Sequence, residues 1–312
     1  MLLYSDPRFL DHDTGRHPEN ANRLRSILAR LEKAALVQEC TARPFQPLPV
    51  EKVTELHDRS VATQAKEVAE SGGYLDADTV VSPKSYDVAL LAAGACAQAV
   101  DDVLRGVGSR ALCLVRPPGH HATPHRSMGF CLFNNIALAA RHAIQTHGLT
   151  RILIVDWDVH HGNGTQDIFF ENPDVMFLSI HRYGHGFYPG TGAADETGAG
   201  RGLGYTLNVP VRFDTSRHDY LALFKSAVEK TADRIKPELV LLSAGFDAHT
   251  RDPIGSLGLE TEDFTEMTRF LLDVAQTHAQ GRLVSCLEGG YNLEALAESA
   301  QTHLEELLRY RA

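Results

Sequence analysis

The sequence predicts an α/β fold, in which a mainly parallel sheet is covered by helices on both faces. Short apolar runs alternate along most of the chain with amphipathic or largely apolar helical segments. This alternation is typical of strand–helix–strand units, which have right-handed crossovers and therefore build parallel sheets. The run Ile152–Val155 contains only Ile, Leu and Val, a composition typical of a strand that is buried on both faces.

Six strands and six helices account for this alternation. The predicted strands are Leu112–Val115, Ile152–Val155, Val175–Ile180, Tyr205–Val209, Leu239–Leu242 and Leu283–Cys286. The predicted helices cover residues 20–35, 83–104, 134–147, 218–235, 261–278 and 293–308. Ser82 is the expected N-cap of the second helix, because Ser is favoured at that position and Pro83 at the first helical one. No change of composition marks a linker, so we expect a single domain over residues 1–312.

Composition and charge limit the classes of function. The chain of 312 residues is 43% hydrophobic and carries 40 acidic against 30 basic side chains, a formal charge of −10. This charge argues against binding to nucleic acid or an anionic membrane, and it mildly favours a cationic substrate. No signal peptide or bilayer-spanning stretch is apparent. The five scattered cysteines include no CxxC pair and indicate reduced thiols, so we expect a cytoplasmic protein.

Polar motifs follow five of the predicted strands. They begin at Arg116, Asp156, His181, Ser243 and Leu287. The carboxyl ends of parallel strands lie at one edge of a sheet, and ligand sites form there. We therefore expect these five motifs, which are distant in sequence, to converge on one site.

Asp158 and His160 are candidate ligands of one divalent metal ion. They are two residues apart after Ile152–Val155, and side chains at that spacing on an extended chain project to the same side. A mixed Asp and His set favours Zn²⁺ or a similar transition metal over Ca²⁺ and Mg²⁺. A catalytic zinc usually has three protein ligands, and Asp247, after another apolar strand, is the best third. The competing interpretation is that Asp247 only caps a turn.

His120 and His121 follow the stiff turn Pro117-Pro118-Gly119. On a surface loop, adjacent histidines would be ordinary polar residues. Beside a metal-binding motif they are candidates for general base and general acid. Asp156 could orient one imidazole and raise its basicity, and Asn163 could orient the other without adding charge. Different partners would give the two imidazoles different pKa values and therefore different roles.

Tyr291 and two aromatic loops complete the expected site. Tyr291 follows two glycines, which allow its hydroxyl to reach a developing oxyanion. Phe130, beside Gly129, and Tyr188, in the turn Phe187-Tyr188-Pro189, would form a narrow apolar slot for an aliphatic chain. Each of these aromatic residues, taken alone, would be better explained by packing at the edge of the core.

Together these residues resemble the zinc-dependent histone deacetylase family, including its bacterial acetylpolyamine amidohydrolase-like and acetoin-utilisation-like members. The resemblance begins at His17-Pro-Glu19. The asparagine at position 163 makes the chain similar to the class II branch of the family. The motifs that carry it are Arg116-Pro-Pro-Gly-His-His-Ala122, Gly129-Phe-Cys-Leu-Phe-Asn134, Asp156-Trp-Asp-Val-His-His-Gly-Asn-Gly-Thr165, Tyr188-Pro-Gly-Thr-Gly192, Ser243-Ala-Gly-Phe-Asp247 and Leu287-Glu-Gly-Gly-Tyr-Asn292. The resemblance implies the arginase/deacetylase fold, one α/β domain around a mainly parallel eight-stranded sheet.

The resemblance also implies roles for the candidate catalytic residues. The residues that match the ligands of one Zn²⁺ per chain are Asp158, His160 and Asp247. His121 matches the histidine that moves protons, and His120 matches the histidine that pairs with Asp156 and tunes the electrostatics. Tyr291 matches the tyrosine that helps to polarise the scissile carbonyl.

Further residues match substrate and potassium sites of the family. Phe130, next to Gly129, matches one wall of the slot, and Tyr188 falls where the other wall is often Phe. Asp78 falls where some members grip the substrate backbone, and Ile254 where polyamine-selective members tend to place an acidic residue. The residues that match one structural K⁺ site are Asp156, Asp158, His160, Ser179 and Ile180. Those that match a second are Phe169, Asn172, Val175 and Tyr205.

The implied function is a zinc-dependent amidohydrolase that removes acetyl or other acyl groups from lysine side chains through a metal-activated water. An acetylpolyamine or another small acylated amine is the alternative substrate, and the apolar Ile254 favours acyl-lysine. A non-catalytic acyl-lysine-binding protein would lack a ligand, the histidine pair or the tyrosine. An arginase-like hydrolase would need more carboxylates for two manganese ions. The sequence predicts no oligomeric state.

Overall fold

The computed structural model describes residues 1–255 and 257–311, which contain a central sheet of eight strands. Every pairing between neighbouring strands of this sheet is parallel. The strands described are β1 (Leu2–Tyr4), β2 (Thr41–Ala42), β3 (Gly73–Tyr74), β4 (Val80–Val81), β5 (Arg110–Cys113), β6 (Ile152–Asp156), β7 (Val175–Arg182), β8 (Thr206–Val211), β9 (Leu239–Ala244) and β10 (Leu283–Leu287). Their order in the sheet is β2-β1-β5-β10-β9-β6-β7-β8, and β3 and β4 form a separate antiparallel pair.

Helices connect the strands. The α-helices of the described residues are α1 (Asn22–Lys33), α2 (Val50–Val53), α3 (Arg59–Ser71), α4 (Ser85–Leu104), α5 (Asn135–His147), α6 (Asn163–Phe169), α7 (Arg217–Ile235), α8 (Thr261–Ala279) and α9 (Leu293–Arg309). Side-chain caps fix several starts, because they satisfy backbone N–H groups that have no partner within the helix. Asn134 accepts from the N–H of Ala137, and Asn292 accepts from that of Ala295. No helix in the described ranges combines the length and the apolar character that a bilayer crossing requires.

Helices cover both faces of the sheet, as predicted. The neighbours Ser285 and Cys286 on β10 show this arrangement. Ser285 hydrogen-bonds to His303 of α9 at 2.9 Å, whereas the Cys286 Sγ lies 3.1 Å from the Cys96 Sγ of α4. Successive side chains of a strand point to opposite faces, so α9 and α4 lie on opposite faces. The helices α1, α9, α8 and α7 pack side by side as one layer, and α4 packs against α3 and α5.

The register of the central strands brings their polar ends to one level. Asp156, the last residue of β6, pairs with Ser243 on β9 and with Ser179 on β7. Ser243 in turn pairs with Cys286 on β10. The loops that follow β6, β9 and β10 therefore start side by side at the carboxyl edge of the sheet, where ligand sites form in such folds.

The predicted elements are present, but several boundaries differ. The strand predicted at Leu112–Val115 begins two residues earlier, at Arg110. The prediction misses β1 and β2, which are too short to show a pattern. It also misses α2, α3 and α6. The buried face of α3 consists mostly of alanines, which give little contrast with the exposed face.

The predicted N-cap at Ser82 is wrong. The helix begins at Ser85, and Lys84 occupies the N-cap position. The Ser82 hydroxyl instead accepts from the N–H of Asp13 at 3.1 Å and lies 2.9 Å from the Ser85 hydroxyl. Ser82 and Pro83 thus belong to a turn that ties this segment to the amino-terminal loop. A tertiary contact has overridden a local signal that favoured a helix start.

His303 shows how tightly the face covered by α9 is packed. Thr268 donates its hydroxyl hydrogen to the carbonyl of Phe264, so His303 Nδ1–H donates to Thr268 Oγ1 at 2.7 Å. The Ser285 hydroxyl then donates to Nε2 at 2.9 Å. This arrangement holds a neutral ring, and burial lowers the pKa of His303 from 6.5 to about 3.

We expect His303 to make the protein less stable in acid. Between about pH 6.5 and 3 the unfolded chain binds a proton at this position that the folded chain does not, so stability falls as the pH falls. The substitution His303→Gln should reduce the change in the free energy of unfolding with pH by up to about 1.4 kcal/mol per pH unit. Urea unfolding of both proteins between pH 6.5 and 4.5 measures the difference. An unchanged slope would mean that the folded protein takes up the proton at His303.

Candidate active site and metal centre

Asp158, His160 and Asp247 meet at the carboxyl edge of the sheet. Asp158 and His160 lie in the loop after β6, and Asp247 lies in the loop after the neighbouring strand β9. The Nδ1 atom of His160 is 3.0 Å from Oδ1 of Asp158 and 3.2 Å from Oδ2 of Asp247. All three side chains are buried, and one ligand atom from each lies within 4.8 Å of the others. The three predicted metal ligands therefore share one point in space.

Backbone groups fix the two carboxylates in this position. The N–H of Gly289 donates to Asp158 at 2.9 Å, and the N–H of Val159 donates to Asp247 at 2.9 Å. A Cβ on Gly289 would lie 2.2 Å from Oδ2 of Asp247, and one on Gly245 would lie 2.1 Å from Oδ2 of Asp158. Only glycine leaves room for the carboxylates at these two positions.

The electrostatics of this cluster fit a bound cation. Burial and the negative charge of Asp158 raise the pKa of Asp247 from 3.8 to about 7. Two carboxylates that crowd each other in a buried place are stabilised by a positive ion between them. Two carboxylates and one imidazole are also a donor set that suits zinc and leaves a coordination position open. The residues present therefore fit a zinc ion, on their chemistry and on their crowding.

His120 and His121 lie beside this cluster with different partners, as the sequence predicts. His120 Nδ1 is 2.9 Å from Asp156 Oδ2, and His121 Nδ1 is 2.7 Å from Asn163 Oδ1. Burial lowers the pKa of His120, but the charges of Asp156 and Asp158 outweigh it and raise that pKa well above its usual value. Burial and the charges of His120 and His160 lower the pKa of His121 well below its usual value. The pKa values of the two adjacent imidazoles are thus shifted in opposite directions.

Glu288 positions the histidine pair, a role that the sequence did not reveal. Its Oε2 accepts from the backbone N–H groups of Gly119 and His120 at 2.7 and 3.2 Å. Its Oε1 accepts from the Ser243 hydroxyl at 3.1 Å. Burial raises the pKa of Glu288 to about 7. One carboxylate therefore ties together the loop that follows β5, the end of β9 and the loop that follows β10. Its place directly after β10 was the available signal.

Arg23 holds the loop that carries Tyr291. From α1 it donates to the carbonyl oxygens of Glu288 and Gly290 at 2.5 and 2.6 Å. Its guanidinium carbon lies 5.0 Å from the centre of the Tyr291 ring. Burial raises the pKa of Tyr291 well above its usual value, so the phenol keeps its proton and can donate it in a hydrogen bond. The buried Glu19 accepts from Arg23 at 3.1 Å and also from Arg116 at 2.8 Å.

A cavity of about 120 Å³, called the slot below, opens beside these groups. The residues that line it are Asp78, His121, Gly129, Phe130, His160, Tyr188, Ile254 and Tyr291. The predicted slot residues therefore lie together with His121, a candidate for proton transfer, and with His160, a candidate metal ligand. A larger surface cleft of about 450 Å³ lies along α2 and α3 and is lined by none of these residues.

The walls of the slot are aromatic rings set edge to face. Phe130 and Tyr291 lie 5.7 Å apart with an angle of 87° between their planes, and Tyr188 and His121 lie 5.0 Å apart at 90°. A Cβ on Gly129 would lie 2.6 Å from the His121 ring and 2.7 Å from the Tyr188 hydroxyl. That hydroxyl is buried and has no hydrogen-bond partner among the described residues. The polar end of Tyr188 is thus buried next to Gly129.

A stack of flat groups supports His160, one of the predicted metal ligands, from the side. The Phe187 ring lies 5.0 Å from the His160 ring and is almost parallel to it, at 4°. The guanidinium carbon of Arg182 lies 4.3 Å from the centre of the Phe187 ring, and its Nη1 donates to the carbonyl of Gly255 at 3.1 Å. The sequence indicated Phe187 only as part of a wall, and it gave no role to Arg182.

Two aspartates that accept hydrogen bonds from backbone N–H groups shape the rim. Asp76 accepts from the N–H groups of Asp78 and Thr79 at 3.0 and 2.7 Å, which fixes the loop that presents Asp78. Asp252 accepts from the N–H groups of Ile254 and Tyr291 at 2.8 and 2.7 Å. The apolar rim residue Ile254 and the phenol of Tyr291 are therefore positioned by the same carboxylate, which the sequence did not single out.

The residues that match potassium sites also cluster. Asp156 pairs with Ser179 across β6 and β7, and it accepts from the N–H of Asp158 at 3.1 Å. At the second set, the N–H of Asn172 donates to the carbonyl of Phe169 at 3.0 Å. Both K⁺ sites stay predictions.

Comparison with known proteins places these features in a family. A model of the histone deacetylase domain matches residues 17–307. The histone deacetylase-like amidohydrolase of Pseudomonas aeruginosa is 37% identical over 95% of this chain and 77% of its own length. The polyamine deacetylase HDAC10 of Homo sapiens is 41% identical over 98% of this chain, which spans 46% of that protein.

A solved structure gives the same result for the fold. The crystal structure of the HDA15 HD domain matches with a TM-score of 0.92 at 38% identity, over 98% of this chain and 87% of that one. The arginase/deacetylase fold expected from the sequence is therefore confirmed. The chain is a hydrolase that belongs to the histone deacetylase family.

Proposed function

We propose that the protein is a zinc-dependent amidohydrolase that removes acetyl, or another acyl group, from the side-chain amine of lysine in proteins or peptides. The observation that carries the proposal is the arrangement at the slot. The cluster of Asp158, His160 and Asp247 borders a narrow cavity that is also lined by His121 and Tyr291. This arrangement supports the proposal, because it combines side chains suited to bind a metal, accept a proton and donate a hydroxyl hydrogen with a narrow channel.

Asp158, His160 and Asp247 would hold the zinc ion. When bound there, the ion would polarise the amide carbonyl and lower the pKa of a water molecule towards about 7. Proton transfer and stabilisation of the oxyanion would be carried out by side chains that the fold holds in place.

His121 is suited to accept a proton at Nε2. Its Nδ1–H donates to Asn163 Oδ1, because the Asn163 amide nitrogen faces the sulfur of Met128. That tautomer leaves a lone pair on Nε2, and the lowered pKa of His121 keeps the ring neutral. His121 would take the proton of the attacking water and then give it to the departing amine. His120, which bonds to Asp156, lies next to it and has a raised pKa, because the charges of Asp156 and Asp158 favour its protonated form.

Tyr291 would donate its phenolic hydrogen to the carbonyl oxygen as negative charge develops there. Its pKa is raised, so the hydrogen is present at neutral pH. Arg23 and Asp252 hold the loop and therefore the direction of the phenol. A donor that is fixed in advance stabilises the transition state without a cost of reorientation.

The slot favours acyl-lysine as the substrate. Its aromatic walls would pack against the methylene groups of a single aliphatic chain. At the rim, Asp78 offers a carboxylate that could accept from the backbone N–H of a peptide substrate. Ile254 offers no charge to attract a second amine. Acetylpolyamines are the second candidate, since one relative is named a polyamine deacetylase and Asp78 could also pair with a cation.

Release of acetate separates the two candidates. We expect a higher kcat/KM with an acetyl-lysine peptide than with acetylspermidine, because the rim residue Ile254 is apolar. Ile254→Glu should shift this preference towards acetylspermidine by adding a negative charge at the opening. A wild-type preference for acetylspermidine would reject the lysine assignment while leaving the amidohydrolase assignment intact. No release from either substrate by zinc-loaded protein would contradict the proposed function.

Tyr291→Phe should cut kcat by roughly 10²–10³, the usual loss when one oxyanion donor is removed. Zinc content should remain as in the wild type, because Tyr291 is not one of the three ligands. The measurement is acetate release together with elemental analysis of the same sample. An unchanged rate would remove Tyr291 from the mechanism.

Gly129→Ala should lower kcat/KM by roughly 100-fold. The new Cβ of the alanine would push against the His121 ring. A shift of about 1 Å near the reacting atoms has an effect of this size. The matched control is Gly15→Ala. Both glycines have positive φ, +58° and +62°, but Gly15 has no neighbour within 4 Å of a new Cβ among the described residues. Equal losses in both variants would show that backbone strain, and not the contact with His121, limits the rate.

A further inference from the structure

Asp101, His142 and His147 form a second cluster of metal-type side chains, away from the slot. Asp101 lies near the end of α4, His142 lies on α5, and His147 is the last residue of α5. The first turn of α5 is at the active site, where Asn134 donates to the Ala122 carbonyl at 3.2 Å. Twelve residues of helix separate the start of α5 from His147, a distance of about 18 Å. The cluster is thus separate from the predicted catalytic residues.

The three side chains converge on one oxygen atom. The Nε2 atoms of His142 and His147 lie 2.8 and 2.7 Å from the same Oδ1 of Asp101. One ligand atom from each residue lies within 4.8 Å of the other two. Small side-chain rotations would therefore place all three atoms around an ion at the bond lengths of about 2.0–2.2 Å that zinc requires.

We propose that Asp101, His142 and His147 form a structural binding site for a second divalent transition-metal ion such as Zn²⁺. Two imidazoles and one carboxylate are the donor set that such ions prefer. The ion would take the place of the two Nε2 hydrogens, and each ring would carry its hydrogen on Nδ1 instead. For His142 a partner for that hydrogen is already present, because the Thr146 hydroxyl lies 3.3 Å from Nδ1. A ligand ring oriented by such an outer bond is typical of metal sites.

Access and charge also favour an ion at this place. The side chains of Asp101, His142 and His147 are 15%, 22% and 17% exposed, so an ion can enter and a water can fill a fourth position. The carboxyl end of a helix carries partial negative charge, and His147 lies in the last turn of α5. Arg105 is the nearest competing cation, at 3.6 Å from the other oxygen of Asp101. Its side chain is 61% exposed and can move into solvent.

The ion would clamp α4 to α5. These helices pack together on one face of the sheet, and α5 reaches the histidine pair through Asn134. A ligand that binds the folded chain and not the unfolded one raises the midpoint of thermal unfolding. The site should therefore stabilise the protein without taking part in catalysis.

Metal counting by equilibrium dialysis tests the proposal. The zinc-loaded protein is dialysed against excess Zn²⁺ and its metal content is measured, together with its melting temperature with and without added Zn²⁺. We expect His147→Ala, and likewise His142→Ala, to hold one zinc ion fewer per chain than the wild type. Both variants should also lose the rise in melting temperature while keeping the wild-type rate of deacylation.

His278→Ala is the matched control. His278 is also a largely buried histidine near the end of a helix, and it faces a single carboxylate, Asp233, at 3.4 Å. The His278→Ala protein should hold as many zinc ions per chain as the wild type. Equal metal content in the wild type, His142→Ala and His147→Ala would overturn the proposal, as would an equal loss in His278→Ala. Because the catalytic ligands are intact in all variants, these outcomes do not depend on the proposed function.

Discussion

The candidate active site depends on two buried carboxylates, those of Asp158 and Asp247, which face one imidazole nitrogen of His160. Placing like charges so close together in a buried region is costly unless a cation compensates them. The parallel register of β6 and β9 makes the approach unavoidable, since it starts both loops at one level. Glycines at positions 245 and 289 then leave the space that the carboxylates need. The sheet thus creates a negative pocket whose simplest complement is a divalent ion.

Around this pocket, the candidate catalytic and metal-binding residues are each positioned by a neighbouring residue to which we assign no catalytic role. Glu288 holds the backbone of the histidine pair, Arg23 holds the loop of Tyr291, and Phe187 packs against His160. Asp252 links Tyr291 to the rim. Such supports matter because an active site that is loose by about 1 Å loses much of its rate.

The sequence predicts the parts of the fold and site that arise from local patterns. The apolar run before Asp156 identified a central strand, and strand ends carrying Asp158, Asp247 and Tyr291 pointed to one edge of a sheet. The sequence could not predict features made by tertiary contact. Ser82 has the pattern of a helix cap but bonds to a distant loop. Arg23 stands in an ordinary amphipathic helix, and nothing local shows that its guanidinium reaches the carbonyls of Glu288 and Gly290.

X-ray anomalous scattering at the zinc edge, from crystals of active protein, tests the metal site most directly. We expect a peak between Asp158, His160 and Asp247, at about 2.0–2.2 Å from His160 Nδ1 and from one oxygen of each carboxylate. Crystals of active enzyme with no anomalous peak among these three side chains would contradict this expectation.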